Sequence, residues 1–360
     1  MKKIGALNLG LTFAGCFLGA GYVSGQELWQ FFGSFGKSGI IGLLLAMLLL
    51  LVVGIMMVWL GGMTQTEEID KLVVCWDIPL LRGAVMLLEL LFLFGVGTIM
   101  SAGVGALLNQ LIGLPQWIGS ALFAAAIALV SLAGFSGLVS VFSATVPILA
   151  IATLGFGIWS IISHGGISFP EAKAAGGSAL LTAWPVSAAA FACYNLFGNV
   201  AVITPMGRLV KSRATAAGGI AVGAALLLII AVSVLVSVGA QPSVVSAELP
   251  MLALASSMGS VFGYIYGLLL LLAMFGTALS ALVAFMSMLG AKFKRVGEKR
   301  GLSTAVCVAC MFAGSLFGFG DLIGIVYPIF GYCSSIFIVL MAVHFFKLKR
   351  ESRVSNGNKA

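Results

Sequence analysis

Gly19-Ala20-Gly21-Tyr22-Val23-Ser24-Gly25-Gln26-Glu27 decides how the rest of this chain is read. The stretch lies within an apolar run extending from about 5 to 32. Three of its nine residues are glycine, each costing roughly 1 kcal/mol in a helix relative to alanine. A polar trio, Ser24, Gln26 and Glu27, follows the second glycine. At membrane depth, an opened backbone has to bond to protein, water, an ion or a ligand. Broken helices at that depth are where carriers build their binding sites.

The rest of the composition places that run in a bilayer. Of 360 residues, 61% are hydrophobic and 8% charged, and the mean hydropathy is +1.17. About a quarter of the residues of a soluble domain are charged. The polar stretches, such as 61–81, are too short for a soluble domain, which takes at least about 50 residues. The cysteines Cys16, Cys75, Cys193, Cys307, Cys310 and Cys333 fall mostly inside apolar segments. They read as small buried residues and not as a disulfide framework. Cys307-Val-Ala-Cys310 has redox-like spacing but no second pair or nearby histidine. Met1-Lys2-Lys3 and Phe13-Ala14-Gly15-Cys16 resemble a signal peptide and a lipoprotein box. The apolar run continues to Phe32, so the segment reads as a retained helix.

A spanning helix takes roughly 20 apolar residues, and ten candidates follow. Their approximate ranges are 5–32, 38–60, 82–111, 117–134, 138–163, 183–206, 214–239, 252–290, 302–319 and 322–346. The connections 61–81 and 164–182 read as loops, and the polar tail 347–360 as disordered and cytoplasmic. With the N-terminus in the cytoplasm, seventeen of the nineteen basic residues fall inside, leaving Lys37 and Lys173 outside. That split follows the positive-inside rule. It accounts for the net charge of +8 without nucleic acid. Five segments on each side of 164–182 enter from opposite sides, the pattern of an inverted repeat. Repeat one is then about 5–163 and repeat two about 183–346, in one transmembrane domain.

The sixth segment is the repeat partner of the first, so it is expected to be interrupted too. It reads Phe191-Ala192-Cys193-Tyr194-Asn195-Leu196-Phe197-Gly198-Asn199-Val200, then Thr204-Pro205. Here the residues carry a family resemblance. Gly19 through Glu27 is similar to the GAGFASGQE stretch of the bacterial YkvI-like membrane proteins. Cys193-Tyr194-Asn195 through Pro205-Met206-Gly207 resembles their YN…PLG pattern. Tyr22-Val23 stands where that family often has Phe-Ala, and Met206 where it often has leucine. The resemblance implies an amino-acid permease of the amino acid–polyamine–organocation superfamily with a LeuT-type fold. It places substrate and any ion between the broken first and sixth segments and the third and eighth.

Candidate site residues follow from these breaks. Gly19, Ala20, Gly21 and Ser24 would present helix N–H groups and a positive dipole end to a carboxylate. The plainer alternative is close packing, since Gly21 and Gly25 form a Gly-xxx-Gly pair. Tyr194, Asn195 and Gly198 would offer donors and opened carbonyls to an ammonium, or Asn195 makes an ordinary interhelical bond. Glu27 is an intramembrane acid and so a functional candidate, as substrate-amine partner, proton carrier or gate. Glu89, among Leu87, Leu88, Leu90 and Leu91, is either a proton carrier or a partner of Arg82. The stripe Gly95, Thr98, Ala102 and Gly105 is a substrate-facing wall or close packing. Ala273, Thr277, Ser280, Ala284 and Ser287 share one helix face. Thr277 and Ser280 would give oxygen ligands for Na⁺, a hard cation, or simply pack. Na⁺-binding hydroxyls in LeuT-type carriers are usually adjacent, and here Ala278 follows Thr277. Some proton-coupled relatives carry a lysine in the fifth segment, and none is present at 137–162.

His164 and His344 fall at opposite sides of the membrane in this topology, so no paired metal site is expected. Asp321 reads as a helix cap. No Gly-x-x-x-x-Gly-Lys loop occurs, and no Ser/His/Asp or Cys/His set shares a face, so no enzyme is expected. No cofactor is expected beyond a possible coupling Na⁺. The expected partners are a small-molecule substrate and the lipid bilayer. A transporter-like receptor that binds without moving its ligand is the alternative. A channel fits less well, because no ring of repeated filter residues is visible.

Overall fold

The structure, a computed structural model, describes residues 3–64, 66, 68–133, 145–163 and 176–357. Among these the secondary structure is helical, joined by short connections, apart from one isolated bridge between Ile4 and Val210. The first expected segment is three pieces: α1 (Ala6–Phe17), α2 (Ala20–Ser24) and α3 (Gln26–Phe31). Then come α4 (Lys37–Thr64), α5 (Ile69–Val73), α6 (Pro79–Ile112), α7 (Gln116–Leu132) and α8 (Thr145–Ser163). The sixth segment is α9 (Trp184–Gly198) and α10 (Val200–Ile203), followed by a 3₁₀ turn over Thr204–Arg208. The remainder is α11 (Arg213–Ala240), α12 (Pro250–Met258), α13 (Ser260–Lys292), α14 (Lys294–Glu298), α15 (Arg300–Ser315) and α16 (Phe319–Gly357).

Five of these helices, α4, α6, α11, α13 and α16, are long and apolar enough to cross a membrane. The sixth segment, bent by 54°, makes another span. The shorter apolar helices α1, α7, α8 and α15 occupy the other expected positions.

Two groups of helices face one another. In the first, α1 packs along α11, and α4 lies against α9 and α11; in the second, α6 packs on α7, α13 and α15. Between the groups, α8 joins α11 to α13, and α16 joins α9 to α6. Lipid tails are as apolar as leucine, so packing inside a bilayer relies on close backbone approach through small residues. The α1–α11 contact is of that kind. A methyl group added at Gly10 would lie 2.7 Å from the Gly219 carbonyl, and one at Gly223 as close to the Gly10 carbonyl.

Ile4 N–H donates to Leu209 O at 2.9 Å, and His344 Nδ1 lies 3.0 Å from Leu72 O. The chain's start, the α4–α6 connection, the approach to α11 and the end of α16 therefore share one end of the bundle, called the basic end below.

Several expectations are corrected. The expected eighth segment is two helices: Gly259, at φ +149°, separates α12 from α13. The 61–81 connection holds α5, which buries Leu72 and Val73. The polar tail continues α16 as helix to Gly357. His164, Lys173 and part of the fifth segment lie outside the described residues.

Candidate functional site

Two backbone breaks open the first span. α1 ends at Phe17, Leu18 leaves helical geometry (φ −74°, ψ 59°), and Gly19 is extended. Gly25 then takes φ +86°, left-handed geometry that a side chain resists. The hydroxyl of Ser24 stitches the short turn together. It donates to Gly21 O at 2.9 Å and accepts from Gln26 N–H at 3.4 Å.

The second break folds Glu27 back over Gly21. A methyl group at Gly21 would sit 2.7 Å from Glu27 Oε2. Glu27 is 5% exposed, and its Oε1 accepts a hydrogen bond from the Tyr194 hydroxyl on α9. Asn195 follows Tyr194 on α9 and is buried, its Nδ2 donating to Phe191 O at 3.1 Å. The Tyr194 ring stacks on Tyr327 of α16, with centroids 4.7 Å apart and planes at 16°. Phe31 and Phe191 pack on its other sides. Gly21, Glu27, Tyr194 and Asn195 thus form one contiguous polar set inside an aromatic jacket. Among the described residues no lysine or arginine forms an ion pair with Glu27.

Tyrosine hydroxyls hold the break from outside. Tyr266 of α13 donates to Val23 O at 2.7 Å, and Tyr22 donates to Leu227 O of α11 at 2.7 Å. Thr153 of α8 lies 3.2 Å from the Tyr266 hydroxyl. Both helix groups therefore grip α2.

No family model matches the chain. It is 24% identical over 345 residues to the uncharacterized membrane protein YkvI of Bacillus subtilis (strain 168), covering 94% of this chain and 95% of that one. Among solved structures it is similar to an inward-facing conformation of Mhp1, with TM-score 0.65 and 14% identity, over 97% of this chain and 78% of that chain. It is also similar to MhsT in complex with L-phenylalanine, with TM-score 0.62 and 16% identity, over 94% of this chain and 89% of that chain. The fold is LeuT-type.

Within this fold the remaining candidates separate. The position of an added methyl at Gly19 meets nothing within 4 Å, whereas one at Gly198 would run into the Phe92 ring of α6. Ala20 is fully buried. Glu89 is 4% exposed, with no hydrogen-bond partner for Oε2. It lies one turn from Phe92 and is not joined to the Glu27 set. Among the described residues it forms no ion pair with Arg82, which pairs with Asp77 at 2.8 Å and Asp70 at 3.8 Å. Thr277 and Ser280 donate to the carbonyls of Ala273 and Gly276, at 2.9 and 2.7 Å. Among the described residues neither hydroxyl hydrogen-bonds to the α1–α2 break.

The stripe on α6 is packing: Gly95 meets Val326 and Phe330 of α16, and Gly105 abuts Ser120 and Gln116 of α7. Asp321 is exposed, and the first amides of α16 are held by a different acid. Glu248 Oε2 accepts from Phe319 N–H at 2.8 Å and Gly320 N–H at 3.3 Å.

Sequence reasoning missed Tyr22, Tyr266, Tyr327, Gln30 and Glu248. A signal was present for the tyrosines. Membrane tyrosines concentrate at the interfaces, yet Tyr22 and Tyr194 fall mid-segment, and these two with Tyr266 and Tyr327 are all buried. Gln30, at 6% exposure, donates from Nε2 to Gly320 O at 2.8 Å.

Proposed function

We propose that this chain is a secondary active transporter of the amino acid–polyamine–organocation kind. It takes up an amino acid or similar small zwitterion by alternating access, driven by a Na⁺ or H⁺ gradient. It sits in a bacterial cytoplasmic membrane with both termini inside. The observation that carries this reading is the Gly21–Glu27–Tyr194 contact, which couples the interruptions of the two matching spans through one buried acid. A membrane-embedded acid without a basic partner is costly, and it is suited to carry a proton or meet an ammonium. The α2 amides would hold the substrate carboxylate, and the carbonyls at the α9–α10 break with Asn195 its amine. Similarity to MhsT, which was solved with L-phenylalanine, supports the amino-acid choice. Thr277 and Ser280 remain the oxygen donors proposed for Na⁺.

The test is uptake of a pooled labelled amino-acid mixture into proteoliposomes under an imposed Na⁺ or H⁺ gradient. Wild type should accumulate label under one of the gradients. Gly21→Leu should lose at least about tenfold of that rate, a barrier change of about 1.4 kcal/mol, because its side chain displaces the Glu27 carboxylate. Equal uptake by the two proteins would remove the site. Binding without accumulation would make the chain a receptor.

A further inference from the structure

Lys292, Lys294, Arg295, Lys299 and Arg300 fall within nine positions, with Glu298 the one acid among them. They form a strap between two helices at the basic end. α13 ends at Lys292, Phe293 is extended, α14 follows with no buried residue, and α15 starts at Arg300. Both flanking helices are apolar and sit in the bilayer, so the strap lies at headgroup level. Val296 packs inward, and its carbonyl accepts from Ser303 Oγ at 3.4 Å. Phe293, between two lysines, is 51% exposed.

Four other basic side chains at this end are engaged. Lys71 pairs with Glu68 at 2.7 Å, and Arg82 with Asp77 at 2.8 Å. Arg213 lies over the Trp59 ring and Lys349 over Phe345, each at 5.7 Å. Among the described residues, none of the five strap cations has an ion pair or ring contact. Topology alone asks only for positive charge on this side, and does not ask for an exposed phenylalanine among unpaired cations. A soluble polyanion would compensate the charge and leave Phe293 in water. The acyl–headgroup boundary takes both, since basic residues attract anionic lipid while an aromatic side chain enters the boundary.

We infer that Lys292–Arg300 is a docking site for the anionic phospholipid headgroups of its own leaflet.

The full-length protein is reconstituted in phosphatidylcholine vesicles containing a trace of spin-labelled phosphatidylglycerol or spin-labelled phosphatidylcholine. The motionally restricted fraction of each label gives their relative association. Wild type should favour phosphatidylglycerol several-fold, and about 1 M salt should abolish the preference by screening. Lys294→Gln with Arg295→Gln and Lys299→Gln should bring it near parity. Lys294→Arg with Lys299→Arg should retain it, which separates charge from misfolding. Lys347→Gln with Lys349→Gln and Arg350→Gln should leave most of it. No preference in wild type, or equal loss in both charge-removing triple variants, overturns the inference. Transport is not measured, so the result stands or falls apart from the proposed function.

Discussion

At the residue scale, Glu27 shows how a sequence marks a group without marking its geometry. A carboxylate inside an apolar run is visible in the sequence, and so is the matching Tyr194-Asn195 pair. That Glu27 turns back over Gly21 is not visible, because it depends on the left-handed Gly25 two residues before it. Two substitutions separate its roles. Tyr194→Phe keeps the ring stacked on Tyr327 and removes only the hydroxyl that donates to Glu27. An acceptor left buried without its donor costs about 1–3 kcal/mol, so Tm in detergent should fall by several degrees. Glu27→Gln keeps shape and size but cannot carry a proton. Under a proton gradient its uptake should fall at least about tenfold, while binding of labelled substrate to purified protein persists. Undiminished proton-driven uptake by this variant would assign the proton elsewhere, Glu89 being the other buried acid among the described residues.

At the element scale, the two glycines that open the first span are not equivalent. Gly19 has φ −76°, and an added methyl there meets nothing within 4 Å. Gly25 has φ +86°, and an added methyl would lie 3.0 Å from Met251 Cγ on α12. The left-handed geometry alone costs a side chain about 1–2 kcal/mol. Gly25→Ala should therefore lower Tm by several degrees, and Gly19→Ala should leave it within about one degree. A thermal-shift assay on the two proteins side by side decides this; equal effects would mean that the break is not built as described. Interruption of the span was legible because three glycines and three polar residues interrupt an apolar run. Other elements were hidden for physical reasons. Gly259 lies in the short run Ser256-Ser257-Met258-Gly259-Ser260 of a long, otherwise apolar stretch, and its reversal at φ +149° separates α12 from α13. Pro328 lies inside α16 and removes the amide that would bond Gly324 O. The structure satisfies that carbonyl with the Ser178 hydroxyl from a distant connection, a pairing that no local pattern announces.

At the scale of the whole molecule, the two ends of the site differ. Away from the basic end, α12 seats Met251 on Gly25, Gln30 holds Gly320 O, and Glu248 holds the amides of Phe319 and Gly320. Gly320 is thus tied by its carbonyl to α3 and by its amide to the connection preceding α12. Toward the basic end, α1 exposes Asn8 and Leu11, and methyl positions at Gly15 and Gly19 meet open space. On α13, Ser280 and Ser287 are exposed and Thr277 is half-buried. Polar side chains facing lipid are disfavoured, so we predict that exposed Asn8, Ser280 and Ser287 line a water-filled crevice. Such a crevice would open toward the basic end, where these side chains lie. A single cysteine at Asn8 or Ser280, in a background without the six native cysteines, should react with a membrane-impermeant thiol reagent applied from the basic side. Reaction from the opposite side should be slower by at least about tenfold, and Ser24→Cys, fully buried in this state, should be slow from both. Gly25→Leu should reverse the ratio. A larger side chain there lifts Met251 from its seat, opens the far end, and shifts the population between two states that few-kcal/mol differences control. Labelling of Ser280→Cys that is equally slow from both sides would place these hydroxyls against lipid and remove the crevice.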